Sequence, residues 1–157
     1  MKQVLISMTN MTPEESYNFV VNLGLKRHQR SENIIMTDPK WAYLYANDII
    51  KGRWPEAEPF IMKDPRLAYM YAKYIIKGRW LEAEPIIIKD PRWTYMYARH
   101  IIVGRWPEAE SVIMTNHVYA YRYASNIIEG RWPEAEPSIM KYPQWWKIYK
   151  YHFNIDD

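Results

Sequence analysis

One octapeptide recurs at a fixed interval of 26 residues: GRWPEAEP at 52–59 and 130–137, GRWLEAEP from Gly78 and GRWPEAES from Gly104. A period of this size means that the chain is built from copies of one supersecondary unit, none of which can bury its apolar face alone. The full units are 38–63, 64–89, 90–115 and 116–141. Residues 12–37 keep the register without the GRW signature. Thr12-Pro13 stands where Asp38-Pro39 does, Tyr17 where Tyr43 does, and Lys26-Arg27 where Gly52-Arg53 do. Residues 142–157 begin a further copy and stop after its first half. These atypical ends match the polar capping units that a repeat stack needs.

Each unit carries helix punctuation. Asp38, Asp64 and Asp90 are N-cap residues followed by proline, and Asn116 keeps the cap in the fourth copy. Apolar positions at Ala42, Tyr45, Ala46 and Ile49 have the i, i+3, i+4, i+7 spacing of a buried helical face. The pattern predicts helix A over about 39–51, closed by Gly52, Gly78, Gly104 and Gly130 as left-handed caps. Pro55 opens a second helix, predicted over about 55–62, and Glu56 and Glu58 favour its positive N-terminal end. Pro59, lying deeper, should distort or interrupt it. The expected fold is all-α: an α-solenoid of short helix–turn–helix repeats with period 26, forming one repeat domain over 1–157.

The recurring residues read as framework. Trp54, Trp80, Trp106 and Trp132 suit a buried series at the corner between helices A and B, the alternative being a platform on which bases or a ligand ring stack. Arg53, Arg79, Arg105 and Arg131 suit ion pairs with a glutamate of their own or the next unit. A pair of carboxylates repeated four times is a poor active site, because an active site is normally unique.

Individuality lies where the copies differ. In helix A the varying positions fall on one face, and the candidate partner-binding residues are Lys40, Leu44 and Lys51; Arg66, Met70, Lys73, Tyr74 and Lys77; Arg92, Met96, Arg99 and His100; and Arg122. Leucine, methionine and tyrosine among them are not typical solvent choices, and apolar exposed patches mark interaction sites. Lys40, Arg66 and Arg92 also sit in the first turn of their helices, where the macrodipole disfavours a cation. Either a glutamate of a neighbouring helix B or an anionic partner should compensate.

Composition narrows the classes. There is no cysteine, hence no disulfide framework or thiolate metal site, which is compatible with a reducing cytoplasm. The apolar run at 4–6 is too short for the core of a signal peptide, and no apolar stretch reaches the ~20 residues of a membrane span. His28, His100, His117 and His152 lack ligand-pair spacing and read as surface or cap residues. No phosphate loop or nucleophile motif is present, so neither enzyme, cofactor nor metal is expected. A net charge of +3 does not by itself argue for nucleic acid, although a basic strip over the middle units keeps that reading open.

The unit D-P-x-W-A-Y-x-Y-A-x-x-I-I-x-G-R-W-P-E-A-E-P-x-I-M-K resembles the tandem helical repeats found in proteins of large bacteriophages and giant DNA viruses. The resemblance is strong over 38–141 and weak outside it. Leu67 and Tyr119 in place of tryptophan, Leu81 and Ser111 in place of proline, and His117 in place of proline depart from it. It implies a virus-encoded accessory protein working in the host cytoplasm, and a solenoid that binds a host protein such as a defence component. Sequestration of an anionic small molecule or nucleotide in an Arg/Tyr pocket is the second reading, and nucleic-acid binding the third.

Overall fold

The computed structural model describes residues 10–156. The protein is an all-α solenoid of helix–turn–helix repeats, with no strand among the described residues. It divides between Ile76 and Lys77 into two compact units. The first holds α1 (Pro13–Asn22), α2 (Gln29–Ile35), α3 (Pro39–Tyr45), α4 (Glu58–Ile61) and α5 (Pro65–Tyr71). The second holds α6 (Glu84–Ile87), α7 (Pro91–Tyr97), α8 (Pro107–Ile113), α9 (His117–Tyr123), α10 (Glu136–Met140) and α11 (Pro143–Phe153). Every expected N-cap is made. The Asp38, Asp64, Asp90 and Asn116 side chains accept backbone N–H bonds from the second and third residues of their helices. Thr12 forms a reciprocal capping box with Glu15.

Helix A departs from the sequence pattern at its end. In each full repeat the α-helix gives way to a π turn, at Ala46–Ile50, Ala72–Ile76, Ala98–Ile102 and Ala124–Ile128. The left-handed residue that follows is not the glycine. It is the residue before it: Lys51, Lys77, Val103 or Glu129, with φ of 56–59°. An added Cβ on Gly52, Gly78 or Gly104 would meet nothing within 4 Å, so no contact explains why glycine recurs there. The capping repeats show what the π turn does. α1 ends with Gly24 left-handed and Leu25 N–H bonded to the Val20 carbonyl, a Schellman closure. The equivalent bonds run from the Gly52, Gly104 and Gly130 N–H groups to the Ala46, Ala98 and Ala124 carbonyls, one residue wider. The π turn thus inserts one residue between the cap and the GRW corner.

Helix B is shorter than its pattern. Residues 55–57 form a separate turn, and regular α-helix starts only at Glu58, Glu84 and Glu136. The exception is α8, which runs unbroken from Pro107 to Ile113. Ser111 stands there in place of Pro59, Pro85 and Pro137, and supplies the N–H that proline lacks. Leu81 in place of Pro55 leaves the break intact, so the second proline is the breaker.

The core is built from one layer per repeat. Tyr45, Ala46, Ala57 and Ile61 and their equivalents are fully buried, whereas Ile49 and Ile50 are only half-buried. Trp54, Trp80, Trp106 and Trp132 are 2–3 % exposed. Trp54 lies against Tyr45 at 5.1 Å between ring centroids, and Trp132 against Tyr123 at 5.0 Å. The tryptophans are therefore core and not a platform for bases.

A polar lock joins successive repeats. Arg53 donates from Nε and Nη2 to the two oxygens of Glu58 in its own unit, both at 2.8 Å. The Tyr71 hydroxyl of the next unit donates to Glu58 Oε1 at 3.1 Å and accepts the Trp54 backbone N–H at 2.6 Å. The same set recurs as Arg79–Glu84–Tyr97, Arg105–Glu110–Tyr123 and Arg131–Glu136–Tyr149. The degenerate first copy keeps it too, through Arg27, Glu32 and Tyr45, with His28 supplying the backbone N–H. Arg27, through its hydrogen bonds, holds the Glu32 carboxyl below its usual range. In the degenerate first copy the tyrosine position is itself Phe19.

Candidate interaction surface

With arginine, glutamate, tyrosine and tryptophan engaged in the framework, the varying side chains of helix A remain. All thirteen candidate residues are exposed or half-exposed. They do not form one class. One set is tied down by tyrosines. Lys73 Nζ donates to the Tyr69 hydroxyl at 3.1 Å and lies 5.3 Å from the Tyr74 ring, and the Tyr69 bond raises its pKa. Arg99 donates to the Tyr95 hydroxyl at 2.7 Å.

At the shared position of Asp48, Tyr74, His100 and Asn126, two of the copies have a structural task. The Tyr17 hydroxyl donates to Asp48 Oδ2 at 2.7 Å, and Asn126 Nδ2 donates to the Tyr95 hydroxyl at 3.2 Å. Each is a contact between one repeat and the tyrosine of the repeat before. Burial, reinforced by Asp48, pushes the Tyr17 hydroxyl up to about 12, and burial followed by the field of Tyr74 raises Tyr43. Sequence variation at this position therefore reflects several polar solutions to one packing problem as much as partner choice.

The helix-start cations are compensated locally. The N-cap aspartates place negative charge at the N-terminus. Lys40 Nζ lies 4.4 Å from the centre of the Trp41 ring, and the Arg92 guanidinium 4.7 Å from that of Trp93. Arg122, in the last turn of α9 and not a helix-start cation, stands 5.9 Å from the Tyr119 ring. Arg66 is the exception. Leu67 follows it instead of an aromatic residue, and its guanidinium makes no hydrogen bond or ion pair among the described residues.

In the first unit, Lys40 and Leu44 of α3 come together with Arg66 and Met70 of α5 around a groove of ≈ 190 Å³, which Tyr43 and Leu67 complete. Lys51, left-handed, closes its helix and is not among the groove's residues; Lys77 is left-handed too. In the second unit a hollow of ≈ 180 Å³ is lined by Arg99, Val103, Gly104, Asn126, Ile127 and Glu129. Its acidic rim residue makes it a poorer anion site than the first groove. Sequence reasoning missed Tyr43 and Leu67 as groove residues: Tyr43 recurs and reads as framework, while the departure of Leu67 from tryptophan was a signal in plain view. The histidines behave as cap and surface groups. His28 caps α2, and His117 stacks on Tyr142 at 3.5 Å. Among the described residues no cluster of three His, Asp or Glu side chains is placed to hold a metal, and no helix is long and apolar enough to cross a membrane. Neither a protein-family model, nor a curated protein, nor a solved structure matches the chain.

Proposed function

We propose that the protein is a non-enzymatic binding scaffold that holds a partner protein against the varying face of its A helices. One observation carries this reading: the framework residues Tyr45, Ala46, Trp54, Ala57 and Ile61 and their counterparts are buried, whereas varying helix A residues such as Lys40, Leu44, Arg66 and Met70 stay exposed or half-exposed and, in the first unit, line an apolar groove with a basic rim. The resemblance of the repeat to those of large bacteriophages and giant DNA viruses supports a viral accessory role, in which occupying the partner blocks a host factor such as a defence component. Sequestration of a nucleotide has less support, because the recurring arginines are already bound to glutamates and the tryptophans are buried.

The test is capture of partners from nuclease-treated host lysate by the wild-type protein and by Arg66→Glu, Arg92→Glu and Arg99→Glu. A protein retained by wild type and lost from the variants, with helical circular dichroism unchanged, is the expected result. Retention that is equal across all four proteins refutes the assigned face, and retention abolished by nuclease refutes a protein partner.

A further inference from the structure

The groove at Leu67 is a gap in an otherwise regular ladder. At the Trp41 position the copies carry Trp41, Leu67, Trp93, Tyr119 and Trp145. Where a ring is present it packs on the tyrosine of the preceding repeat within its own unit. Trp41 lies 5.2 Å from Tyr17, Tyr119 5.9 Å from Tyr95, and Trp145 5.8 Å from Tyr121. By the same register Leu67 faces Tyr43, and these two residues line the groove. Leucine stands where other copies carry a larger ring, and Leu67 and Tyr43, 4 % and 7 % exposed, lie at the base of the groove. The leucine also leaves the neighbouring cation without a ring to rest on: Lys40 and Arg92 lie over Trp41 and Trp93, and Arg66 has no such neighbour. The groove has an apolar floor of Leu44, Leu67 and Met70, two cations on its rim and no acidic residue in its lining. Its volume is well below the roughly 300–1,000 Å³ of small-molecule sites, which suits one inserted side chain.

We infer that this gap is a recognition groove for an acidic segment of a partner protein, which inserts one large apolar side chain over Leu67 and sets flanking carboxylates on Lys40 and Arg66. Charge complementarity selects the occupant: a cationic segment would meet two like charges at close range. The inference rests on the scaffold reading above and adds to it the place and chemistry of contact.

The decisive variant is Leu67→Trp. It restores the residue that other repeats carry, so it fills the groove while respecting the fold. The experiment is selection from a displayed library of random peptides on the full chain, followed by fluorescence anisotropy of the enriched peptides. Enriched peptides are expected to carry Phe, Trp or Leu between Asp or Glu residues. Leu67→Trp is expected to weaken them at least tenfold with an unfolding midpoint equal to or above wild type, Arg66→Glu to weaken them similarly, and Arg66→Lys to retain most binding. Equal binding to wild type and Leu67→Trp overturns the inference. So does enrichment of basic peptides, the absence of any enriched peptide, or displacement by single-stranded DNA at low concentration. Peptides lost from Arg99→Glu but kept by Leu67→Trp would leave the scaffold reading standing with the groove refuted. Failure to capture any protein in the lysate experiment would instead remove the scaffold reading itself.

Discussion

Replacing Tyr71 by phenylalanine removes one oxygen atom from the lock between two repeats and leaves the ring in place. Tyr71 is fully buried, and its hydroxyl does two things at once. It accepts the Trp54 N–H at 2.6 Å and donates to the Glu58 carboxylate at 3.1 Å. Without it, the Trp54 amide is a buried donor with no partner, a loss of about 1–3 kcal/mol, and Glu58 loses one hydrogen bond to a charged acceptor. Arg53 still holds both Glu58 oxygens, so the carboxylate is not orphaned. The expected cost is about 2–3 kcal/mol. Tyr95→Phe is the control: its hydroxyl meets the exposed Arg99 and Asn126 side chains, which water can satisfy, and should cost below about 1 kcal/mol. Urea unfolding followed by circular dichroism and tryptophan fluorescence measures both, and amide exchange at Trp54 reports the orphaned donor directly, because repeat stacks open locally. A Tyr71→Phe cost no larger than that of Tyr95→Phe, with Trp54 still protected, would refute the lock as the determinant of repeat stacking.

Four further outcomes follow from the geometry. Burial raises the hydroxyl pKa of the lock tyrosines, to about 12 for Tyr45 and Tyr123, and also upward for Tyr97 and Tyr149. A raised folded pKa means the unfolded chain loses its protons first. Stability is therefore full below pH ~10 and falls as pH rises through 10–12, by up to about 1.4 kcal/mol per pH unit for each such tyrosine; ultraviolet titration should show tyrosine ionisation coinciding with loss of helix. Val103→Gly relieves a β-branched residue held at φ 56° and 77 % exposed, and should raise stability by about 1 kcal/mol, whereas Gly52→Ala should change it by no more than about 0.5 kcal/mol. Ser111→Pro should break α8 at Pro107–Ala109, and Pro59→Ser should extend α4 back towards Pro55; backbone chemical shifts would record both. Glu58→Gln keeps the shape but discharges the lock, leaving Arg53 with a neutral partner, and should lower the urea midpoint less than Glu58→Ala, which also strips Tyr71 of its acceptor.

Much of this protein is written in its repeat. The period, the capping residues and the prolines determine an all-α stack of paired helices, because cap chemistry and the proline N–H deficit act within a few residues of chain. The buried role of Trp54 and the pairing of Arg53 with a glutamate were legible for the same reason: an element repeated four times must fit identical surroundings four times. The position of Ile61, fully buried in every copy, was less visible because helix B is too short to show a period.

Tertiary structure alone decided three things. It placed the left-handed residue at Lys51 rather than Gly52, because a π turn over Ala46–Ile50 ends helix A. It assigned the Tyr71 hydroxyl to a glutamate thirteen residues earlier, a pairing fixed by stacking and invisible in helical spacing. It also split the varying face into two kinds of residue. Lys73, Arg99 and the Asp48 position satisfy tyrosines of the framework, while Lys40, Leu44, Arg66 and Met70 surround open space. Variation between copies marks both kinds equally. Only the neighbour across the repeat interface tells whether a side chain is already bonded within the fold or left facing outward.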